Sequence, residues 1–93
     1  MDGKSIVETV KRVLADLTRN SAVMDADLDT ALKEDLGIDS MTSLVFLMAL
    51  EDTIPGFVVD ADTLEADHFR TIGTICEYVF AQLERNAVHL AAS

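Results

Sequence analysis

The chain has 93 residues, of which 49% are hydrophobic, a composition that suits one small globular domain and is too apolar for a disordered segment. Its net charge of −10 argues against nucleic acid and anionic membranes as partners, because both need a positive surface. The single cysteine allows no internal disulfide. The chain has no apolar run long enough to cross a membrane, and its N-terminus lacks the apolar core of a signal peptide. We therefore expect a single cytoplasmic domain over residues 1–93, which is a monomer.

The first predicted element is a helix over about residues 5–19. Ser5 and Glu8 have the S-x-x-E spacing of a capping box. The apolar residues that follow recur with the helical period: Ile6, Val7, Val10, Val13, Leu14 and Leu17. Residues 20–39 then form a long connection, whose scattered apolar side chains predict an ordered loop. Loops of this length in a compact domain are usually functional.

A second helix is predicted over about residues 40–53. Asp39 is a good N-cap for it, Gly37 supplies a turn just before it, and Pro55-Gly56 ends it. This helix carries apolar residues on two opposite sides. One side comprises Phe46, Leu47, Leu50 and Ile54, and the other comprises Met41, Leu44, Val45 and Met48. A helix of a small bundle buries one such stripe, so the second is either covered by a loop or docks a partner, and the pattern leaves both open.

The remaining chain predicts an extended segment, a short helical turn and a last helix. The extended segment follows Gly56, the turn lies in residues 62–69, and Thr71 can cap a helix over about residues 72–85. Cys76 lies on the apolar stripe of that helix and is predicted to be buried. Residues 86–93 lack a pattern and are expected to fray, which leaves a core of about 5–85. The expected fold is all-α, a small four-helix bundle with a long first loop and a short third helix.

Ser40 raises the question of chemistry. The stretch G-I-D-S-M does not match the G-x-S-x-G nucleophile elbow, and the only histidines are His68 and His89. We expect no pocket of useful size in so short a chain and assign no catalytic residue. A hydroxyl in the first turn of a helix suits an attached phosphate, but a second capping serine beside Asp39 explains it equally well.

A calcium site is the next alternative. Asp25, Asp27 and Asp29 follow the D-x-D-x-D start of an EF-hand loop. The sixth and twelfth loop positions, where the motif needs Gly and Glu, hold Thr30 and Leu36. We therefore assign no metal site.

A resemblance decides between the readings of Ser40. The stretch DLGIDSMTSLVFLMALED resembles the D-L-G-x-D-S-[LM] signature of acyl and peptidyl carrier proteins. The preceding LDTALKEDLG and the later VVDADTLEADHFRTIGTICEYV are similar to the family's two loops, short third helix and last helix. The resemblance covers about residues 5–85 in order and spacing, which is far more specific than the short motif alone.

The resemblance implies that Ser40 carries 4′-phosphopantetheine, transferred from coenzyme A by a phosphopantetheinyl transferase, with Asp39 beside it. The arm would hold an acyl or aminoacyl group as a thioester, and the chain would be a carrier rather than an enzyme. Further partners would be an acyltransferase or adenylation enzyme and ketosynthase or condensation enzymes. The residues implied to dock these partners are Met41, Leu44, Val45, Met48, Glu51 and Asp52. Those implied to flank the arm or its cargo are Ile38, Phe57, Val58 and Val59.

Two departures bear on the pathway. Fatty-acid carriers usually have acidic residues at the positions of Thr42 and Val45, and both are uncharged here. The GIDSM stretch also differs from the G-G-[DH]-S of many peptidyl carriers. The stretch ADHFRTIGTI most resembles discrete carriers of polyketide or mixed polyketide–peptide biosynthesis, and the start of the chain at Met1 favours a freestanding protein. The alternatives are a housekeeping fatty-acid carrier and, from another class, an acidic helical interaction module without a prosthetic group.

Overall fold

The structure, a computed structural model, describes residues 3–60 and 62–92, with side chains for all of these except Ser40 and residues 86–92. Four α-helices occur in chain order: α1 (Gly3–Thr18), α2 (Leu32–Leu36), α3 (Ser40–Thr53) and α4 (Ile72–Ala92). Two short 3₁₀ helices lie between them, at Ser21–Asp25 and Ala66–Phe69. The described ranges contain one isolated β-bridge and no strand, so the predicted all-α class is confirmed.

The core lies between the three long helices. Each of them contributes apolar residues three or four positions apart, which places those side chains on one face. Phe46 and Leu50 of α3 are fully buried in this core. Phe57, which follows the end of α3, is buried in it as well. Cys76 is only 7% exposed, so its predicted burial is confirmed. The other buried residues of the helices are Ile6, Val10, Val13, Leu14, Leu32, Leu47, Ile72, Ile75, Tyr78, Val79 and Gln82.

Two helices extend beyond their predicted bounds. The first helix begins at Gly3, so Ser5 lies inside its first turn and is not the N-cap of a capping box. The last helix continues to Ala92 instead of ending near residue 85. Thr71 does cap it, since the Thr71 hydroxyl accepts a hydrogen bond from the Thr74 N–H at 3.2 Å. The backbone of residues 86–92 is described as helix and residue 93 lies outside the described residues, so the expected fraying of residues 86–93 stays a prediction.

The short helix α2 was not predicted. The Asp35 carboxylate accepts a hydrogen bond from the Ala31 N–H at 2.9 Å, which satisfies a free donor at the start of α2. Gly37 ends α2 in the left-handed conformation, with φ of 70°, and its N–H bonds back to the carbonyls of Leu32 and Lys33. Glycine suits this position because it has no Cβ to clash. The predicted turn at Gly37 is therefore confirmed.

Backbone hydrogen bonds join the first loop to the start of α4. The Gly73 N–H donates to the Leu28 carbonyl at 2.8 Å, and the Leu32 N–H donates to the Arg70 carbonyl at 3.1 Å. The Ile72 N–H donates to the Thr30 carbonyl, also at 3.1 Å. We call these three bonds the backbone link. They hold α2 beside the segment that precedes α4.

None of the described helices is long and apolar enough to cross a membrane.

Candidate functional site

The start of α3 is fixed by Asp39. Its Oδ1 accepts a hydrogen bond from the Thr42 N–H at 2.8 Å, which confirms the predicted N-cap. Its carbonyl oxygen accepts from both the N–H and the hydroxyl of Ser43, each at 2.8 Å. Ser40 is the first residue of α3, and its side chain lies outside the described part of the structure. The residue predicted to carry the arm thus occupies a helix start held by its neighbours.

The Asp39 carboxylate is held in its charged form. The hydrogen bond from the Thr42 backbone lowers the pKa of Asp39 below its ordinary value, because donors favour the ionised oxygen. A negative charge at the N-terminus of a helix is also favoured by the helix dipole. A fixed negative charge therefore adjoins Ser40 at neutral pH.

The outer side of α3 is apolar and exposed. Met41 is 77% exposed and Met48 is 67% exposed, while Phe46 on the opposite side is fully buried. Leu44 and Val45 are exposed as well. No loop covers this side within the described residues, so of the two alternatives left open by the sequence, coverage by a loop is wrong. We call Met41, Leu44, Val45 and Met48 the outer face.

The two acidic residues predicted to take part in docking lie near the end of α3. Asp52 is exposed. Glu51 is exposed too, and its carboxylate accepts a hydrogen bond from the Val59 N–H at 3.1 Å. Glu51 therefore also anchors the extended segment that follows the helix.

A half-open pocket of about 660 Å³ lies beside the start of α3, contrary to the expectation that so short a chain has none. The pocket adjoins Ser40, because Asp39 and Ser43 both line it. Its lining comes from α2, α3 and the segment before α4, and the backbone link holds α2 beside that segment. The lining residues are Ala31, Lys33, Glu34, Ile38, Asp39, Ser43, Leu44, Leu47, Leu64, Ala66, Phe69, Arg70 and Thr71.

Of the four residues predicted to flank the arm or cargo, one lines the pocket and three do not. Ile38 is 4% exposed and lines the pocket. Phe57, Val58 and Val59 do not line it. Phe57 is buried in the core, and the Val58 carbonyl accepts a hydrogen bond from the Gln82 side chain at 2.9 Å. Leu64 and Phe69 also line the pocket, and the sequence analysis did not assign them to the site.

The contacts of His68 with Glu65 and Tyr78 give it a structural role. Its Nδ1 accepts a hydrogen bond from the Glu65 N–H at 2.9 Å, which caps the 3₁₀ helix. Its ring lies against Tyr78, with centroids 4.7 Å apart. The Tyr78 hydroxyl in turn contacts Asp60, accepting from its N–H at 3.1 Å. These contacts hold the segment that carries Leu64.

Lys33 and Arg70 are the basic residues of the pocket, and the sequence analysis assigned neither of them to a site. Both are exposed, and they line the pocket from different parts of the chain, Lys33 from α2 and Arg70 from the segment before α4. Only the approach of α2 to the segment before α4 brings them to one pocket. Among the residues whose side chains are described, no group of three or more His, Cys, Asp or Glu is placed to hold a metal ion.

Comparison with known proteins gives a consistent result. A family model described as the phosphopantetheine attachment site matches residues 8–79. An acyl carrier protein of Saccharopolyspora erythraea is 34% identical over 99% of this chain and 93% of its own length. Acyl carrier proteins of Desulforapulum autotrophicum and Clostridium perfringens are 27% and 29% identical over 81% and 84% of this chain, and over 94% and 97% of their own lengths. A search of solved structures gave no significant match.

Proposed function

This chain belongs to the phosphopantetheine-attachment family, which includes acyl carrier proteins, and from that premise we propose that its arm is attached to Ser40. The chain is accordingly a carrier that uses 4′-phosphopantetheine, and not an enzyme. The arm supplies a terminal thiol that holds an acyl or aminoacyl group as a thioester. The observation that carries the assignment to Ser40 is its place as the first residue of α3, directly after the Asp39 cap.

The surroundings of Ser40 fit the attached group. The Asp39 cap fixes the first turn of α3, so a transferase meets a preformed helix start rather than a mobile loop. In the transfer, Ser40 Oγ forms a bond to the phosphorus of the pantetheine phosphate. The bond from that phosphorus to adenosine 3′,5′-bisphosphate breaks, and the serine proton goes to a base of the transferase. The pocket beside Asp39 and Ser43 gives the arm a surface to lie on.

Partner enzymes are proposed to dock on the outer face. Exposed apolar side chains, with two flexible methionines among them, suit a surface that binds more than one partner. Glu51 and Asp52 extend this surface with negative charge near the end of α3. The proposed partners are the transferase, an acyltransferase or adenylation enzyme, and a ketosynthase or condensation enzyme.

For the pathway, we propose natural-product biosynthesis of the polyketide or mixed polyketide–peptide kind. The support is the uncharged surface at Thr42 and Val45, since Val45 is 48% exposed and gives the outer face an apolar centre. Docking should therefore depend on apolar burial more than on charge. The second candidate is a housekeeping fatty-acid carrier, which the names of the similar acyl carrier proteins leave equally open.

The attachment is tested by intact mass after incubation of the protein with coenzyme A and a broad-specificity transferase. Wild type should gain the mass of one phosphopantetheine group and Ser40→Ala should gain none. Ser21→Ala is the matched control, because Ser21 is an exposed serine outside the pocket lining and its loss should leave loading intact. Loading of Ser40→Ala would refute the assignment. Partner binding by unmodified Ser40→Ala protein, with no loading of wild type, would favour an interaction module without a prosthetic group.

The pathway is tested with the charge at residue 45. Holo wild type should be a poor substrate for enzymes of fatty-acid elongation, and Val45→Glu should be a better one, because it restores an acidic position to the outer face. Thr53→Glu is the control, since it adds the same charge at the far end of α3. Efficient elongation on wild type would favour the housekeeping carrier.

A further inference from the structure

The methionines that the structure describes lie at the surface of the protein. The chain has four methionines, and the three with described side chains are Met24, Met41 and Met48. Met41 and Met48 are 77% and 67% exposed, and Met24 is 37% exposed. None of the three belongs to the hydrophobic core, so a chemical change at their sulfur atoms leaves the packing of the core intact.

The two most exposed methionines belong to the outer face. Met41 directly follows Ser40 in α3, and Met48 lies seven residues further on, which is about two helical turns and returns to nearly the same side. Leu44 and Val45 lie between them in the sequence. The outer face therefore has a thioether at each end of its apolar stripe.

The single thiol of the chain is protected from oxidation. Cys76 is only 7% exposed, and burial raises the pKa of its thiol to about 11. Oxidants attack the thiolate, so a thiol with this pKa reacts slowly at neutral pH. The reaction of a thioether needs no loss of a proton and depends on access to the sulfur. In the chain without its arm, a peroxide therefore reaches the exposed methionines first.

We propose that Met41 and Met48 are sites of reversible oxidation, and that their sulfoxides weaken docking of the phosphopantetheinyl transferase on the outer face. This inference rests on the proposed attachment at Ser40 and on the proposed docking surface, and it adds a regulation of that surface by peroxides. The methionine sulfur forms a bond to one oxygen of hydrogen peroxide as the oxygen–oxygen bond breaks. The sulfur loses two electrons, and the second oxygen leaves as water after taking up the proton of the first.

The sulfoxide acts on docking because it makes an apolar side chain polar. A methionine covered by a partner contributes to binding through the apolar surface that it removes from water. A sulfoxide oxygen covered in the same place needs a hydrogen-bond donor, which an apolar contact does not supply. In the free protein the same oxygen lies in water. Oxidation therefore weakens association and leaves the fold unchanged.

The test uses the full chain without its arm, treated with dilute hydrogen peroxide until intact mass shows the added oxygen atoms. Peptide mapping locates these atoms, which should lie on Met41 and Met48 before any reach Cys76. Loading from coenzyme A by a broad-specificity transferase then gives kcat and KM for the carrier. We expect KM to rise about tenfold, as each sulfoxide loses part of the burial of one side chain, with a smaller change in kcat. Methionine sulfoxide reductases, with dithiothreitol as the electron donor, should restore the original KM.

The double variant Met41→Leu/Met48→Leu decides whether these two sulfur atoms are responsible. Leucine keeps the outer face apolar and cannot form a sulfoxide, so this variant should have the KM of untreated wild type before and after peroxide. Met24→Leu is the matched control, because Met24 lies in the 3₁₀ helix at Ser21–Asp25, outside α3. It should remain as sensitive to peroxide as wild type.

The outcomes separate this inference from the proposals on which it rests. Failure of untreated wild type to load refutes the attachment at Ser40. Val45→Gln places a polar group on the outer face without oxidation, and an unchanged KM for that variant refutes docking there. The oxidation proposal alone is refuted if Val45→Gln raises KM but oxidation of wild type does not, or if the double leucine variant stays sensitive. It is also refuted if oxidation lowers the melting temperature, because the loss of loading would then follow from a loss of fold.

Discussion

Asp39 Oδ1 lies 2.8 Å from the backbone nitrogen of Thr42, and this hydrogen bond fixes the helix start at which Ser40 stands. The same bond lowers the pKa of Asp39. The stability of the fold, the geometry of the helix start and the negative charge beside Ser40 therefore all depend on this one carboxylate. Its effects can be separated because asparagine keeps the accepting oxygen but not the charge.

Replacing the cap should therefore show a graded effect. Asp39→Ala should lower the melting temperature and slow loading by the transferase, because the Thr42 N–H loses its partner and the first turn loosens. Asp39→Asn should lie between Asp39→Ala and wild type in melting temperature. Scanning calorimetry and the initial rate of mass gain give the two readouts. Equal melting temperatures for Asp39→Ala and wild type would show that the cap contributes nothing.

Acid should remove the same contribution in wild type. The pKa of Asp39 is lower in the folded state than its ordinary value of 3.8, so the stabilisation is present above pH 3.8 and is lost as the pH falls through the folded pKa. The melting temperature of wild type should therefore fall more steeply below about pH 4 than that of Asp39→Asn, which has no carboxyl group to protonate. Parallel curves for the two proteins would contradict this assignment.

The two sides of α3 should respond oppositely to truncation. Phe46→Ala should lower the free energy of unfolding by about 3–5 kcal/mol, because Phe46 is fully buried and leaves a cavity. Met48→Ala should change it by no more than about 0.5 kcal/mol, because Met48 is 67% exposed. Urea denaturation measures both. A large loss of stability in Met48→Ala would mean that the outer face is packed against this chain itself.

Gly73 has little room for a methyl group. A Cβ there would lie 3.2 Å from the Leu28 carbonyl oxygen, which the Gly73 N–H binds at 2.8 Å. Gly73→Ala should therefore lower the melting temperature even though alanine is the better helix former. Gly3→Ala is the control, since nothing lies within 4 Å of its added Cβ. If the two variants melt alike, the approach of Leu28 to α4 is not tight.

Alkaline pH should act through Cys76. Burial raises the pKa of its thiol from 9.0 to about 11, so between these values the unfolded state loses its proton first and stability falls as the pH rises. Cys76→Ala removes this term and should show a shallower fall in melting temperature over that range. Its lower starting stability, from the lost sulfur atom, does not affect the slope. Identical slopes would place the thiol in water.

Strong local signals made much of the fold predictable. The α3 helix runs over residues 40–53 as predicted. Both of its ends are set by residues next to them in the sequence, since Asp39 caps the start and Pro55-Gly56 follows the end. The exposed outer face was likewise visible as an excess of apolar residues. The helix α2 was missed because five residues cannot show a helical period, and its stability comes from Asp35, Gly37 and contacts with Arg70.

The pocket was missed for a different reason. Its lining comes from parts of the chain nearly forty residues apart, since Lys33 and Arg70 line the same pocket only after folding. No local pattern in the sequence records that approach. The resemblance implied that Phe57–Val59 flank the arm or its cargo, but the Phe57 ring faces Tyr78 in the core, with the ring centroids 6.2 Å apart. The side chains that line the pocket could be found only from the packing.

The backbone link has a consequence for how such a protein can diverge. Its three hydrogen bonds join main-chain atoms, so most replacements of the side chains that line the pocket leave the bonds in place. A replacement at Gly73 is different, because the absence of a Cβ there allows the Leu28 carbonyl to approach α4 closely. The frame of the pocket therefore depends on main-chain contacts, whereas the character of its surface depends on side chains. Replacing Lys33 or Arg70 would change the charge of the lining while the architecture around Ser40 is retained.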